Sequence, residues 1–286
     1  MEDSSINVLN QMVFRPFDVD YVDIEDSLDP DINFFQNMSN LNCEYYHEQQ
    51  FCDIVNNHDY VSLMHLNVRS LPKNMDQLTA YLKSLCHSFT VIGLSETWLT
   101  DNNKDLYHMP GYNCLHECRQ NKRGGGVSLF IHGSAEYTVR TDLNRYDECI
   151  ESSFVELNGR SLGQDQNVIV GVIYRPPNTD VNVFNQHMID ILSAVKQEDK
   201  PCYCMGDYNI DILHNESHKD TGTFLDIMYS SSFIPLITKP TRVTSDSATI
   251  IDNIYCNDIT FYNTVCQGIL YTVISDHFPV FTILYS

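Results

Sequence analysis

The sequence predicts an α/β domain in which helices pack outside β-sheets. From about Tyr60 to the end of the 286-residue chain, apolar runs of strand length alternate with segments whose apolar residues recur at helical spacing. Strands outnumber helices, and the two kinds are interleaved rather than grouped. The composition is 43% hydrophobic and 19% charged, as in globular proteins, and the length is sufficient for one good core.

The first half of this pattern begins with VSLMHLNV, an apolar run that predicts a buried strand. NMDQLTAYLKSLC follows with apolar residues at helical spacing, and Asn74 or Pro72 stands near its start. FTVIGLS, GGGVSLFIH and SSFVELN are three more strands, because each is short and rich in β-branched or aromatic residues. This half therefore contains four strands and one helix.

The second half begins with NVIVGVIYRPP, a strand that Pro176 and Pro177 end because proline cannot donate to a sheet. VFNQHMIDILSAVKQ and TGTFLDIMYSSSF are predicted helices, and CYCMGDYNI between them is a strand that runs into a polar loop. Two further apolar runs, IIDNIYCN and VISDHFPVFTILYS, complete the chain.

The N-terminal part differs in composition from the rest. We interpret residues 1–58 as an acidic, disordered segment and residues 59–286 as the folded domain. Residues 1–60 contain thirteen acidic residues and one basic residue, Arg15, which favours a solvated tail over a segment that binds a protein partner. Within this part, CEYYHEQQFCDIVNN is able to form a short amphipathic helix leading into the domain.

Charge and hydropathy limit the functions and partners of the chain. The formal net charge is −21, so a broad basic face for DNA is excluded and any contact with nucleic acid must be local or supplied by a partner. No run approaches the ~18 apolar residues of a membrane helix. The start, MEDSSINVLN, is neither a signal peptide nor a transit peptide. We therefore expect an intracellular protein with no membrane span.

The ten cysteines are most simply reduced thiols. Cys202 and Cys204 are two residues apart, so they share one face of a strand. A zinc knuckle at Cys114, His116 and Cys118 is the less favoured alternative, because no second ligand pair stands at a zinc-finger distance.

Polar clusters stand at predicted strand ends or in the loops that follow. In chain order they are Asn67, Glu96, Tyr174 with Arg175, Asp207 with Asn209, and Asp276 with His277. An α/β scaffold usually places its site at the carboxyl edge of a sheet. Carboxylate, amide and phenol oxygens suit Mg²⁺ or Mn²⁺ rather than Zn²⁺. Asp252 lies inside an apolar run, where a nearby imidazole would satisfy it.

In this order and spacing, the clusters resemble the endonuclease/exonuclease/phosphatase superfamily over residues 60–286. The strings HLNVRSL, LSETWL, KRGGGVSLFI, GVIYRPPN, MGDYNID, TRVTSDSATIIDNIY and ISDHFPVF are similar to the apurinic-type endonuclease domain of non-LTR (LINE-type) retrotransposons. The resemblance implies a four-layered αββα sandwich, in which two packed mixed β-sheets are flanked by helices.

Carried over motif by motif, the resemblance implies roles for these residues. The metal ligands would be Glu96, Asn67 and Asp276, with Mg²⁺ as the ion and Mn²⁺ as a substitute. Asp207 would orient or deprotonate the attacking water, Asn209 would hold it, and Tyr174 would donate to the phosphate or the leaving oxygen. His277, oriented by Asp252, would stabilise the charge on the phosphate. The substrate-binding residues would be Asn67, Arg175, Asn209 and His277.

The implied activity is that of an Mg²⁺-dependent DNA endonuclease that nicks one strand and leaves a 3′-hydroxyl. Its site of action would be the nucleus. Two alternatives stay open: a phosphatase or RNA-directed hydrolase on the same scaffold, and a domesticated, inactive binding module. No reverse transcriptase follows the domain, so a fragment, a truncated gene model and a domesticated gene of retrotransposon origin are all open.

Several positions depart from the family pattern or match no motif. Apurinic endonucleases usually have a second acid where this chain has Arg69. Lys122 and Arg123, with the glycines at 124–126, predict either a phosphate-contacting loop or a plain hairpin turn. The histidines outside the motifs are expected to be structural or solvated; they include His65, His132 and His214.

Overall fold

Two large β-sheets pack face to face and carry helices on their outer faces. The computed structural model describes residues 8–14, 43–55, 60–119, 124–214, 218–257 and 265–285. Within these ranges the layers run helix, sheet, sheet, helix. The predicted four-layered αββα sandwich is confirmed.

The first sheet has seven strands in the order β1-β14-β15-β2-β3-β5-β4. The β2–β3 and β1–β14 pairs are parallel and the other pairs are antiparallel, so the sheet is mixed. Its strands are β1 (Cys43–Tyr46), β2 (Tyr60–Asn67), β3 (Val91–Ser95), β4 (Tyr112–Glu117), β5 (Val127–His132), β14 (Val265–Leu270) and β15 (Val280–Tyr285).

The second sheet has six strands in the order β10-β13-β9-β8-β7-β6, and only the β8–β9 pair is parallel in the part of the chain described. Its strands are β6 (Tyr137–Val139), β7 (Glu151–Leu157), β8 (Val168–Tyr174), β9 (Cys202–Asp207), β10 (Ile234–Pro235) and β13 (Asp252–Cys256). A separate hairpin pairs β11 (Arg242–Val243) with β12 (Ala248–Thr249).

Four α-helices of at least two turns form the outer layers of the described chain: α1 (Glu48–Val55), α2 (Leu71–Ser84), α3 (Val181–Glu198) and α4 (Lys219–Ser230). Helices α1 and α2 cover the first sheet, and α3 and α4 cover the second. Helix α3 begins where Asp180 accepts a hydrogen bond from the Asn182 amide, and Pro72 stands in the first turn of α2. No helix among the described residues is both long and apolar enough to span a bilayer.

The core between the sheets follows from strand periodicity. In β2, Leu63 faces the second sheet while Met64 and Leu66 face the helices, because successive side chains point to opposite faces. Both faces of this strand are therefore apolar, which explains its unbroken hydrophobic run. The same alternation leaves inward positions at the strand ends for polar groups, and these positions form the site described below.

The folded part begins before the predicted boundary at residue 59. The amphipathic helix predicted from Cys43 begins at Glu48 as α1, because Cys43–Tyr46 instead form strand β1, which pairs with β14 at one edge of the first sheet. The side chains of Leu9 and Phe14 are also buried, and the Phe14 amide donates to the Thr238 carbonyl. The acidic composition of the segment favoured a prediction of disorder. Only a few apolar residues make these contacts, so they did not change the average composition enough to indicate a folded part. The disorder expected elsewhere in residues 1–58 falls on residues outside the described ranges.

Candidate active site

Strand register brings the predicted polar clusters to one end of the sandwich. Asn67 lies opposite Ser95 in the parallel β2–β3 pair, so Glu96 follows at the same edge. In the second sheet, Asp207 lies opposite both Tyr174 and Asp252. The two inner faces meet at this end, since Asn67 of the first sheet donates to Asp207 of the second at 2.8 Å.

The Glu96 carboxylate is held by three donors. Its Oε1 accepts from Asn67 Nδ2 at 3.2 Å and from the Tyr174 hydroxyl at 3.1 Å, and its Oε2 accepts from Trp98 Nε1 at 3.2 Å. The backbone turns here with positive φ at Glu96 and Trp98. In the described chain no lysine or arginine forms an ion pair with Glu96. Among the described residues the Glu96 carboxylate is thus oriented by neutral donors, and a carboxylate held in this way is a suitable ligand for a hard cation.

Asp207 is buried at the end of β9. Its carboxylate accepts from Asn67 and, at 3.0 Å, from the Asn209 amide. Burial, followed by the charge of Asp252, raises the pKa of Asp207 to about 7. The preceding Gly206 permits this close packing, because a Cβ there would lie 1.9 Å from the Ile173 carbonyl oxygen.

Asp252 and His277 form the pair expected from the sequence. His277 Nδ1 lies 2.8 Å from Asp252 Oδ2, and the Thr241 hydroxyl donates to the same oxygen at 2.8 Å. Burial works against the charged imidazole, but the Asp252 carboxylate outweighs it and raises the pKa of His277 to about 9. The imidazole is therefore a cation at neutral pH, positioned to attract a phosphate.

The motif that carries His277 is anchored to the first sheet. The Ser275 hydroxyl donates to the Asn67 carbonyl at 2.7 Å and accepts from the His277 amide at 3.0 Å. This link fixes the loop between β14 and β15 against the end of β2. Thr241 and Ser275 both contribute to the site, although the sequence singled out neither as a site residue.

His65 lies in the floor of the site, which the sequence did not indicate. It is fully buried, with Nε2 3.1 Å from the Ser95 hydroxyl and Nδ1 3.8 Å from Asp252 Oδ1. Burial lowers its pKa to about 4, so the ring is neutral. The sequence did contain one signal for this position. His65 stands two residues before Asn67 on the same strand, so the two side chains share the inward face.

Two places in the site are able to hold a cation. Ligand atoms of Asp207, Asp252 and His277 lie within 4.8 Å of one another. However, the His277 imidazolium is already paired with Asp252 in that cluster, so the Glu96 carboxylate with the Asn67 amide is the better place for a hard ion.

Asp276, expected as a further metal ligand, faces two arginines. Arg69 Nη1 lies 2.8 Å from Asp276 Oδ1, and Arg242 donates to Oδ2 from Nε at 3.0 Å and from Nη2 at 2.9 Å. Burial opposes ionisation, but these guanidinium groups lower the pKa of Asp276 to about 2. The carboxylate is neutralised by the chain itself, unlike that of Glu96.

Arg175, expected to bind substrate, is 5% exposed. Its guanidinium donates to the carbonyl oxygens of Asn209 at 3.1 Å and Thr179 at 2.6 Å, while Asn209 Nδ2 donates to the Arg175 carbonyl at 2.8 Å. These contacts make Arg175 a support for the loop that carries Asn209, because its donors are directed to backbone within the protein.

The glycine loop is only partly described, because Lys122 and Arg123 lie outside the described ranges. The glycines at 124–126 all have positive φ, and the Gly126 amide donates to the buried Glu151 carboxylate at 2.5 Å. Glu151 also pairs with Arg119, whose guanidinium lies 5.9 Å from the centre of the Tyr174 ring. The described glycine at 126 therefore serves an internal carboxylate.

The zinc alternative is not supported. His116 lies on β4 with Nδ1 2.7 Å from the Ser128 hydroxyl and Nε2 3.1 Å from the Tyr107 carbonyl oxygen, so both ring nitrogens have partners. Cys202 and Cys204 do share one strand face, with their sulfur atoms 3.8 Å apart.

The chain matches one family model and several solved structures. The model described as the Endonuclease/Exonuclease/phosphatase family matches residues 64–277. The endonuclease domain of TRAS1, a telomere-specific non-LTR retrotransposon, is 11% identical with a TM-score of 0.60, covering 79% of this chain and 98% of its own. AP endonuclease LMAP from Leishmania major is 16% identical with a TM-score of 0.60, covering 88% and 98%.

A third structure is the 3′ phosphatase NExo from Neisseria bound to a product DNA hairpin. It is 13% identical with a TM-score of 0.54, covering 79% of this chain and 99% of its own. No curated protein sequence matches this one significantly. At these identities the structural matches establish the fold, and the family model establishes the sequence relationship.

Proposed function

This chain belongs to the endonuclease/exonuclease/phosphatase family, and from that premise we propose that it is an Mg²⁺-dependent phosphodiesterase that nicks one strand of DNA and leaves a 3′-hydroxyl. The observation that carries the proposal is the contrast within the site. In the part of the chain that the structure describes, Glu96 is oriented by three neutral donors and pairs with no lysine or arginine, whereas His277 is a buried imidazolium at the same end of the sandwich. The Glu96 carboxylate is suited to binding a metal ion, and the His277 imidazolium is suited to binding a phosphate.

The first role belongs to Asp207, which accepts the proton of the attacking water. A general base is most effective when its pKa lies near the working pH, and burial brings Asp207 to about 7. Asn209 is held beside it through the hydrogen bonds to Asp207 and Arg175, and so helps to orient the water. Placement of this kind contributes more to phosphoryl transfer than covalent chemistry does.

The charge that develops on the phosphate is stabilised by His277 and Tyr174. Asp252 and Thr241 hold the His277 ring, so its remaining N–H has a fixed direction. Burial, followed by Glu96, raises the pKa of Tyr174, so the phenol stays protonated and donates. Fixed donors in a buried site stabilise charge without reorganisation.

Glu96 and the Asn67 amide would hold the metal ion, which in this family of reactions neutralises phosphate charge and stabilises the leaving oxygen. The fit rests on the hard oxygen donors and the uncompensated charge of Glu96. Asp276, Arg175 and the Asn67 side chain as direct substrate or metal contacts remain predictions from the resemblance.

DNA is the proposed substrate because two similar folds belong to an AP endonuclease and to a retrotransposon endonuclease domain, and a third is bound to a DNA hairpin. The similarity to TRAS1, together with the sequence resemblance, supports the proposed retrotransposon origin, and the nucleus is the site of action that we propose for such an enzyme. A protein partner for the acidic residues 1–58 would supply the charge that the domain lacks for stable DNA binding.

The test is nicking of supercoiled plasmid with Mg²⁺ by wild type, Glu96→Ala and His277→Ala. We expect wild type to nick and both variants to lose about two orders of magnitude or more. Intact plasmid after incubation of folded wild type with Mg²⁺ and with Mn²⁺ would reject DNA cleavage. Hydrolysis of phosphomonoesters under those conditions would then identify a phosphatase.

A further inference from the structure

A cluster of three charged side chains beside the site takes no part in the steps assigned above to Asp207, His277 and Tyr174. Asp276 lies between Arg69 and Arg242, and we call these three residues the arginine clamp. Two guanidinium groups share one carboxylate, so the clamp carries one surplus positive charge. On a chain with a formal charge of −21, a surplus cation beside the active site is an informative exception.

The clamp is connected to the catalytic residues through the backbone. The Arg69 amide donates to Asn67 Oδ1 at 3.2 Å, and Arg69 has a positive φ of 47° that turns the chain at the end of β2. Arg242 forms an isolated antiparallel β-bridge with His277. Both arginines of the clamp are therefore tied to residues of the site, Arg69 to Asn67 and Arg242 to His277.

The arginine side chains remain open to a ligand. They are 54% and 38% exposed for Arg69 and Arg242, whereas Asp276 is 24% exposed. Asp276 engages Nη1 of Arg69 and the Nε and Nη2 of Arg242. Since a guanidinium has five N–H donors, each arginine retains donors beyond those that contact Asp276.

We propose that the arginine clamp binds a phosphate of the nucleic-acid strand that neighbours the scissile one, with Asp276 as the positioning residue that fixes both guanidinium groups. This inference rests on the proposed function and names its substrate class: a polynucleotide, which has neighbouring phosphates, rather than an isolated phosphomonoester. Arginine suits the role because its planar fork matches phosphate oxygens and Asp276 limits its rotation.

The clamp also accounts for the absence of a second acid at position 69. A carboxylate at position 69 would have placed a second negative charge next to Asp276, and the pair would have favoured binding of a cation. Arg69 reverses the sign, so the chain itself supplies positive charge where a phosphate would approach. Direct charge of this kind compensates, locally, for the acidic surface of the domain.

The experiment measures the salt dependence of binding. A fluorescein-labelled DNA duplex is titrated by anisotropy from 50 to 200 mM salt, in Ca²⁺ and again in EDTA, with wild type, Arg69→Ala and Arg242→Ala. Loss of one phosphate contact should reduce the slope of log K against log salt by about 0.9. Arg160→Ala is the matched control, because Arg160 is exposed beyond Leu157 at the opposite end of β7 from the site.

Two additions distinguish a lost contact from a damaged fold. Arg69→Lys and Arg242→Lys keep the charge, so they should keep the wild-type slope while binding more weakly through loss of the planar fork. The second addition is a series of duplexes, each with one neutral methylphosphonate at a different position around the cleavage site. At one position the methylphosphonate should weaken DNA binding by wild type, and at that position it should not weaken binding by Arg69→Ala any further.

Wild-type slopes in both alanine variants would overturn the clamp, as would the absence of measurable DNA binding by wild type in either buffer. These outcomes are separable from failure of the proposed function. Plasmid nicking with unchanged slopes would retain the endonuclease and reject the clamp, whereas reduced slopes without nicking would retain the clamp as a DNA-binding site.

Discussion

Two charged clusters lie at opposite ends of the sandwich and differ in how their carboxylates are compensated. We call Glu96, Asp207, Asp252 and His277 the site cluster. The far-end cluster consists of Arg140, Asp142, Glu156, Glu198 and Lys200. In the register of β7 and β8, Glu151 pairs with Tyr174 at the site, whereas Glu156 pairs with Ile169 near the other end.

In the far-end cluster the protein neutralises its own acids. Arg140 contacts Glu156 Oε2 at 3.0 Å and also Glu198, and Lys200 contacts Glu156 Oε1 at 2.9 Å and Glu198 Oε2 at 2.8 Å. Hydrogen bonds from Arg140 and then Lys200 lower the pKa of Glu198. Such a network contributes to stability and needs no ligand.

In the site cluster, burial instead raises the pKa of Asp207, and no lysine or arginine among the described residues pairs with Glu96 or Asp207. The only cation in this cluster is the His277 imidazolium, which depends on Asp252. Within the described ranges, the site cluster is therefore the one whose carboxylates have no lysine or arginine partner, and burying charge in this way costs stability.

The largest expected effect comes from neutralising the buried acid at the site. Asp207→Asn should reduce plasmid nicking by about two orders of magnitude or more, because it removes the proposed base. The same variant should unfold at a higher temperature than wild type at pH 8, by about 3 °C or more in metal-free buffer. Differential scanning calorimetry measures the second effect.

The sign of that stability change follows from the pKa of Asp207. Its folded value, about 7, lies above the ordinary value of about 4 in the unfolded chain, so wild type loses stability as the pH rises through about 7. Near pH 4.5 the acid is protonated and resembles Asn, so the difference in unfolding temperature should shrink. A difference that is independent of pH would contradict a buried, strained charge at Asp207.

The far-end cluster should respond in the opposite manner. Arg140→Ala leaves Glu156 and Glu198 with less compensation, so we expect a loss of about 1–3 kcal/mol in the free energy of unfolding, measured in urea. Plasmid nicking per folded molecule should stay within about twofold of wild type. Arg160→Ala, which removes an exposed arginine from the same end, is the matched control and should change neither quantity.

The smallest effect should come from Thr241, which touches the site only through Asp252. Thr241→Val keeps the shape but removes the hydroxyl that donates to Asp252 Oδ2. We expect kcat/KM to fall by about three- to tenfold, and the alkaline limb of the pH profile, set by His277 near 9, to move. An unchanged profile with reduced stability would show that Thr241 only supports the fold.

The sequence was a better guide to the long strands and to which residues lie together at the site than to the contacts and charges that surround each of those residues. Continuous apolar runs such as β2 and β8 are buried on both faces, so their period and composition identified them directly. Short or half-exposed strands such as β4 and β10 were missed, because two to six residues with mixed burial give no clear period. Strand β1 was predicted as the start of a short amphipathic helix within the acidic N-terminal segment, because four residues are too few to show the alternation of a strand.

The chemistry of individual side chains depended on long-range contacts that spacing does not show. Asp252 and His277 were paired correctly because the motif order carries that information, and the structure places them 2.8 Å apart. His65 was expected to be structural or solvated and Thr241 was not singled out, since the contacts of each with the site are made to residues distant in the chain. The surroundings of Asp276 depend on Arg242, 34 residues away, and no pattern in the sequence joined them.

The most direct test of the uncompensated site is to count bound Mn²⁺ by electron paramagnetic resonance on metal-free protein. We expect wild type and Glu156→Gln to bind an ion at the site, and Glu96→Gln to bind it about tenfold or more weakly. Equal Mn²⁺ affinity in wild type and Glu96→Gln would contradict the account, because Glu96 would then not be the carboxylate that awaits a cation.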